Sequence, residues 1–288
     1  MSAFRAWSAS AYLRHYYARV EDDEAATLEF LVDALAGAAP VAEALEFGAG
    51  PTLHHLLPLA RHAAAIDICD LLDDNLGALR DWIECRPGAH DWRPFTRQVL
   101  ACEGRPATTE QVAAREALLR RRVRRVVHAD AAQADPLGIA GRGRYGIVVS
   151  CFCADSATAD KATWSRFMRH IGSLVAPGGL LLLAALRGCT AYGVGELSFP
   201  SADVDEHDIA AQLHATGFDL ADARIDVVDV ARQRRLGYDG IVLAAARRAP
   251  LYARFGHEER CAPRQLRPGP AGACMTPGGA TRIANPFR

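Results

Sequence analysis

Apolar residues recur along the chain in two rhythms. Between Asp23 and Ala38, Leu28, Leu31, Val32 and Leu35 fall at the three- and four-residue spacing of a helix with one buried face, and Gly37 and Pro40 end it. An aromatic and basic segment, Ala11 to Val20, precedes it, so two helices are expected ahead of the main body. From Val41 short apolar runs alternate with helical periods. Strands are expected at Val41 to Phe47, Ala63 to Cys69, Arg125 to Ala129, Tyr145 to Phe152 and Leu180 to Leu186. Ile147, Val148 and Val149 follow one another without a polar break, the mark of a strand buried on both faces. Helices are expected at Pro51 to about Leu59, around Leu72 to Ile83, from Thr109 to the arginine run at Arg120 to Arg125, at Trp164 to Val175 and at Glu206 to Thr216. Pro87 to Pro106 reads as irregular. The runs Arg224 to Val230 and Gly240 to Ala246 have no helix between them and read as an antiparallel pair. Repeated strand–helix–strand order implies a mostly parallel sheet covered on both faces. From Pro250 the periodicity stops, and the Pro-, Gly- and Arg-rich stretch Cys261 to Arg288 is expected to be disordered because it cannot bury enough surface to offset its ordering entropy.

Composition narrows the classes. The chain has 288 residues, 50% of them apolar, which is enough for one large core. Its formal charge of −1 offers no field for nucleic acid, and the arginine run reads as a solvated helix end. Lys161 is the sole lysine among 33 basic residues, a usage that points to a GC-rich bacterial genome. No charged-then-apolar leader opens the chain and no apolar run is long enough to span a bilayer, so a cytoplasmic monomer without membrane or nucleic-acid partners is expected. The eight cysteines then remain free thiols. Cys151 and Cys153, alternating along a strand, are expected to point the same way as small buried groups, and no metal site is expected.

The first strand runs into Glu46-Phe47-Gly48-Ala49-Gly50-Pro51-Thr52. Glycines here let a ligand approach the backbone. A dinucleotide turn would need a third glycine where Leu53 stands, and Pro51 removes an amide donor that a pyrophosphate would use. A nucleoside cofactor without phosphate, S-adenosylmethionine, suits the turn better than NAD. The second strand ends in Asp67-Ile68-Cys69-Asp70, where either acid could take both ribose hydroxyls while the other caps the next helix.

Several ordered segments resemble the nicotinamide, phenylethanolamine and thioether/indolethylamine N-methyltransferases, a family of class I S-adenosylmethionine-dependent methyltransferases. They are Tyr12-Leu13-Arg14-His15-Tyr16-Tyr17, the Phe47 to Thr52 turn, Asp70-Leu71-Leu72-Asp73-Asp74-Asn75-Leu76 and Gly88-Ala89-His90-Asp91-Trp92. Asp130 with Asp135-Pro136-Leu137-Gly138, Gly172-Ser173-Leu174 with Pro177-Gly178-Gly179, and Gly195-Glu196 complete the set. The similarity runs from about Tyr12 to Arg248. It implies an α/β, Rossmann-like fold: a seven-stranded, mostly parallel sheet with a terminal antiparallel pair, under an N-terminal helical lid. The division implied is a lid at 1–40, a core at 41–249 and a tail at 250–288.

By the resemblance, Tyr12 and Tyr17 close over the cofactor's amino-acid end, held also by Thr52 and the backbone of Gly48 and Gly50. Asp70, rather than Asp67, takes the ribose. Asn75 lies near the adenosine, Asp130 and Ala131 bracket the adenine, and Cys151 belongs to the same set. A sulfonium cation suits aromatic faces. Glu196 and Asp155 are the candidates for orienting an amine and taking its proton, and Tyr16, Tyr192 and Ala184 for lining the acceptor pocket. Ala184 stands where the nicotinamide enzyme has an aspartate, and Ala231 where a tyrosine is expected. Both departures argue against nicotinamide. His54 replaces an aromatic residue and could face either pocket or solvent. The expected activity is N-methylation of a small amine or heteroaromatic nitrogen. C- or O-methylation of a small aromatic acceptor, a non-catalytic cofactor-binding protein and, more distantly, a dehydrogenase are the alternatives.

Overall fold

The computed structural model describes residues 4–230, 237–238 and 240–250. Ala231 and the expected tail from Cys261 to Arg288 lie outside the described residues. Two helices lead, α1 (Ala9–Tyr16) and α2 (Asp22–Ala36). Then come β1 (Val41–Phe47), α3 (Leu56–Leu59), β2 (Ala63–Asp70), α4 (Asp73–Ile83), α5 (Arg93–Cys102), α6 (Thr109–Arg122), β3 (Val123–His128), β4 (Tyr145–Cys151), α7 (Lys161–Gly172) and β5 (Val175–Arg187). The chain continues through β6 (Ala191–Val194), β7 (Leu197–Pro200), α8 (Glu206–Ala215), β8 (Phe218–Asp229) and β9 (Gly240–Arg248).

Seven strands form one sheet in the order β3-β2-β1-β4-β5-β9-β8. The first five pair in parallel, and β9 lies antiparallel between β5 and β8. The chain therefore builds outward one way from β1 and the other way from β4. The crevice at the carboxyl ends of these two central strands is where such sheets receive ligands. Side-chain alternation divides the core: Ile147, Val149 and Cys151 pack with Leu28 and Leu31 of α2, while Val148 and Leu181 pack with Trp164 and Ile171 of α7. Among the described residues no helix is long and apolar enough to cross a membrane.

Several local expectations give way. The helix expected from Pro51 shrinks to Leu56–Leu59, because the glycine turn runs on through a series of bends before the chain can coil. The region expected to be irregular holds α5, whose Phe95, Thr96, Val99 and Leu100 are buried and whose second residue is Pro94, where a missing amide costs nothing. The arginine run is split. Its first part ends α6 and its last two members enter β3, where Arg124 and Arg125 face Asp67. Strand β4 stops at Cys151 because Phe152 takes φ +52°, so Cys151 and Cys153 join opposite cores instead of sharing one direction. The small hairpin β6–β7 was not expected at all; its four-residue strands are too short for a periodic signal.

Candidate active site

Asp67 and Asp70 share β2 and have different work. Asp67 is fully buried and accepts from Arg124 Nη2 at 2.7 Å, Arg125 Nε at 2.9 Å and the Tyr145 hydroxyl at 2.8 Å. Burial works to raise its pKa, but these donors outweigh it and hold the carboxyl below its usual range. Its lone pairs are committed to the fold. Asp70 instead sits beside the glycine turn. Its Oδ2 accepts from the Gly50 amide at 2.8 Å, and its Oδ1 from the Leu72 amide at 2.8 Å and Asn75 Nδ2 at 2.9 Å. Burial pushes its pKa up against those three donors. It faces a cavity.

That cavity, about 550 Å³, opens at the ends of β1 and β4 and is lined chiefly by apolar and aromatic groups. On its wall are Gly48, Gly50, Thr52, Asp70, Asn75, Asp130, Ala131, Cys151, Tyr12 and Tyr17, together with Tyr192 of β6. Gly48 is needed there: its φ is +70°, and a Cβ would lie 2.0 Å from the Cys153 sulfur. Thr52 spends its hydroxyl on the Ala49 carbonyl at 2.7 Å, bracing the turn. Asp130 caps its own turn by accepting from the Ala132 amide at 2.8 Å, and His170 Nδ1 lies 2.7 Å from the Ala131 carbonyl. The segment before α1 closes one side. Phe4, Arg5 and Trp7 are on the wall, and Trp7 donates to Asn75 Oδ1 at 2.7 Å. The sequence reading missed this strap, for which the aromatics Phe4 and Trp7 were the available signal.

A second, smaller cavity of about 40 Å³ shares Tyr12, Tyr17, Phe152, Ser156 and Tyr192 with the first and adds Tyr16, Asp23, Glu24, Leu186 and Tyr238. Its walls come from distant parts of the chain. The Tyr16 hydroxyl donates to the Gly193 carbonyl at 2.7 Å, and the Tyr238 hydroxyl to Asp23 Oδ2 at 2.6 Å. Burial, with neighbouring tyrosines and acids, drives the pKa values of Tyr12, Tyr16 and Tyr17 well above the usual phenol range, so all three are neutral donors. Asp23 and Glu24 open α2, and in the sequence they resemble ordinary acids at a helix N-terminus.

The remaining candidates lie off both walls. Asp155 is buried and accepts from the Leu186 amide at 3.0 Å and the Ser156 hydroxyl at 3.1 Å, with burial pushing its pKa up to about 6. Glu196 is exposed at the β6–β7 turn. Ala184 is fully buried within β5, pairing with Cys151 and Leu243. His54 is neither on the larger cavity's wall nor at the surface. It is fully buried, stacks on Trp92 with ring centroids 5.3 Å apart, and sits 2.6 Å from Glu24 Oε2.

Comparison with known proteins gives the family. The sequence profile of the NNMT/PNMT/TEMT family matches residues 1–249. The phenylethanolamine N-methyltransferase of Sus scrofa is 30% identical over 249 residues, covering 83% of this chain and 86% of that one. The nicotinamide N-methyltransferase of Homo sapiens is 31% identical over 176 residues, 61% of this chain and 66% of that one, so this match stops just short of two thirds of the relative's length. The solved DhpI-SAM-HEP complex has a TM-score of 0.50 at 13% identity, covering 83% of this chain and 92% of that chain, and shares the fold.

Proposed function

The chain belongs to the NNMT/PNMT/TEMT family of S-adenosylmethionine-dependent small-molecule methyltransferases, and on that premise we propose that it N-methylates a small amine. The observation carrying this reading is the cavity at the glycine turn, of cofactor size, with a narrow recess beside it walled by tyrosines and two buried carboxylates, Asp23 and Glu24. An amine is the acceptor that aromatic faces and carboxylates together favour. The relatives' names, phenylethanolamine and nicotinamide N-methyltransferase, point to nitrogen as well.

In this reading the cofactor supplies an activated methyl group on a sulfonium. Displacement at that carbon needs no covalent nucleophile from the protein, and holding the acceptor in line can contribute ~7–11 kcal/mol. Asp70 and Asn75 hold the ribose side, Gly48, Gly50 and Thr52 hold the amino-acid end, and Asp130, Ala131 and Cys151 line the remainder of the cofactor cavity. Tyr12 and Tyr17 lie between the cavities and shield the reacting centre from water. Tyr16 and Tyr192 turn toward the acceptor. Asp155 acts one step removed, orienting Ser156, whose residue belongs to both walls. Glu196, exposed on the β6–β7 hairpin, lies off both cavity walls.

Calorimetric titration with S-adenosylmethionine and S-adenosylhomocysteine tests the cofactor half, using the wild type and Asp70→Ala. Saturable binding that the variant loses is expected. A panel of primary and secondary amines, followed by mass spectrometry for the added methylene mass, tests the acceptor half. Methylation confined to phenols or carbon acids would overturn the nitrogen assignment.

A further inference from the structure

Glu24, His54 and His55 gather a carboxylate oxygen and two ring nitrogens within 4.8 Å of one another, all buried. Among the described residues no other set of histidine, cysteine and acidic side chains comes together this closely. His55 uses Nδ1 on Glu46 Oε1, 3.0 Å away, and its Nε2 is buried with no hydrogen-bond partner. Glu46 Oε2 and His54 Nδ1 are likewise buried and unpartnered. An interior polar group left unmet costs about 1–3 kcal/mol, so a cluster with three of them calls for a physical reason.

A metal ion supplies that reason for His55 Nε2, the unmet atom that faces Glu24 and His54. A carboxylate that accepts from one imidazole nitrogen leaves the other with its lone pair free, which is how proteins hold metal-binding histidines. Charge agrees. No lysine or arginine among the described residues pairs with Glu24 or Glu46. Two carboxylates, two neutral imidazoles and one dication sum to zero. Two nitrogens and a carboxylate are a donor set for zinc and its neighbours, whereas magnesium and calcium prefer oxygen throughout.

We propose that Glu24, His54 and His55 bind a first-row divalent metal ion of the zinc class, with Glu46 orienting His55. His55 is on the wall of the larger cavity and Glu24 on that of the smaller, which sets the ion between them.

The test uses full-length protein stripped with a chelator, then titrated with Zn²⁺ by calorimetry and with Co²⁺ by visible absorption. One ion per chain, a raised melting temperature and cobalt bands without thiolate charge transfer are expected. Glu24→Gln and His55→Gln should lose uptake, and Glu46→Gln should bind about 10–100-fold more weakly. If a variant does not fold, His54→Gln and the wild-type spectrum decide. Absence of stoichiometric uptake, a thiolate band that places the ion on cysteines, or uptake unchanged in the folded variants would each overturn the proposal. Titration of the same stripped protein with S-adenosylhomocysteine reports on the cofactor site separately, so failure of one reading leaves the other standing or falling on its own result.

Discussion

The two halves of the site are built differently. The floor of the larger cavity comes from neighbouring stretches, the turn at Gly48–Thr52, the end of β2 at Asp70 and Asn75, joined by hydrogen bonds from Gly50 and Asn75 to Asp70 across 20 and 5 residues. The smaller cavity is assembled from distant segments, with Tyr16 bonded to Gly193 over 177 residues and Tyr238 to Asp23 over 215. In the first half local backbone geometry dictates residue types, so a short motif carries the information. In the second only packing decides which side chains meet, and the residues need no common pattern. Asp67 and Asp70 show the same contrast on one strand, since Asp67 is claimed by arginines that only the sheet brings to it.

The largest effect is expected at Asp67. Asp67→Ala takes the buried acceptor from the Tyr145 hydroxyl and from two guanidinium groups, of which Arg124 keeps Glu43, and should cost about 3–5 kcal/mol in denaturant unfolding, because one partner of a buried ionic network is lost. The Kd for S-adenosylhomocysteine in the folded fraction should be unchanged; a large change would mean that the two aspartates are not functionally separate. Asp155 comes next. Its folded pKa of about 6 lies above the usual value of 3.8, so its contribution to stability is complete below about pH 4 and is lost as pH rises through about 6. That shift corresponds to roughly 3 kcal/mol. Asp155→Asn should flatten this part of the stability–pH curve, and an unaltered curve would place the titration elsewhere.

A more selective effect is expected at Asp70. Asp70→Asn keeps the side chain's shape but removes its charge, and it should weaken S-adenosylhomocysteine binding by roughly 10–100-fold, the equivalent of one charged hydrogen bond. Little change in affinity would contradict Asp70 as the ribose ligand. The smallest effect belongs to Glu196. Glu196→Gln, exposed at a hairpin turn, should alter stability by less than about 0.5 kcal/mol and leave acceptor KM unchanged. A raised KM with unaltered cofactor binding would show that the hairpin folds over the acceptor.

Sequence by itself determined the strands of the main sheet and the glycine turn. β1 begins and ends at the residues its apolar run marks, and β4 at Tyr145 with an end one residue earlier than expected. Strands this fully buried need continuous apolar runs, and a turn with positive φ at Gly48 and Gly50 needs glycine, so both leave direct marks in the residue order. The helix α5 was less legible because its apolar face is interrupted by arginine and glutamine, and its identity depends on burial against α2 and α6. Tertiary structure alone decided which acids face a cavity. Asp23, Glu24 and Asp155 are equally acidic in sequence, yet packing put the first two on the wall of the smaller cavity and turned the third toward the Leu186 amide. Tertiary structure also made a buried cluster of His54 and His55, adjacent residues whose partners Glu24 and Glu46 lie 30 and 9 positions away. A side chain's chemistry is written in the sequence; its solvation and its neighbours, which set its charge and its task, exist only after the chain has closed around it.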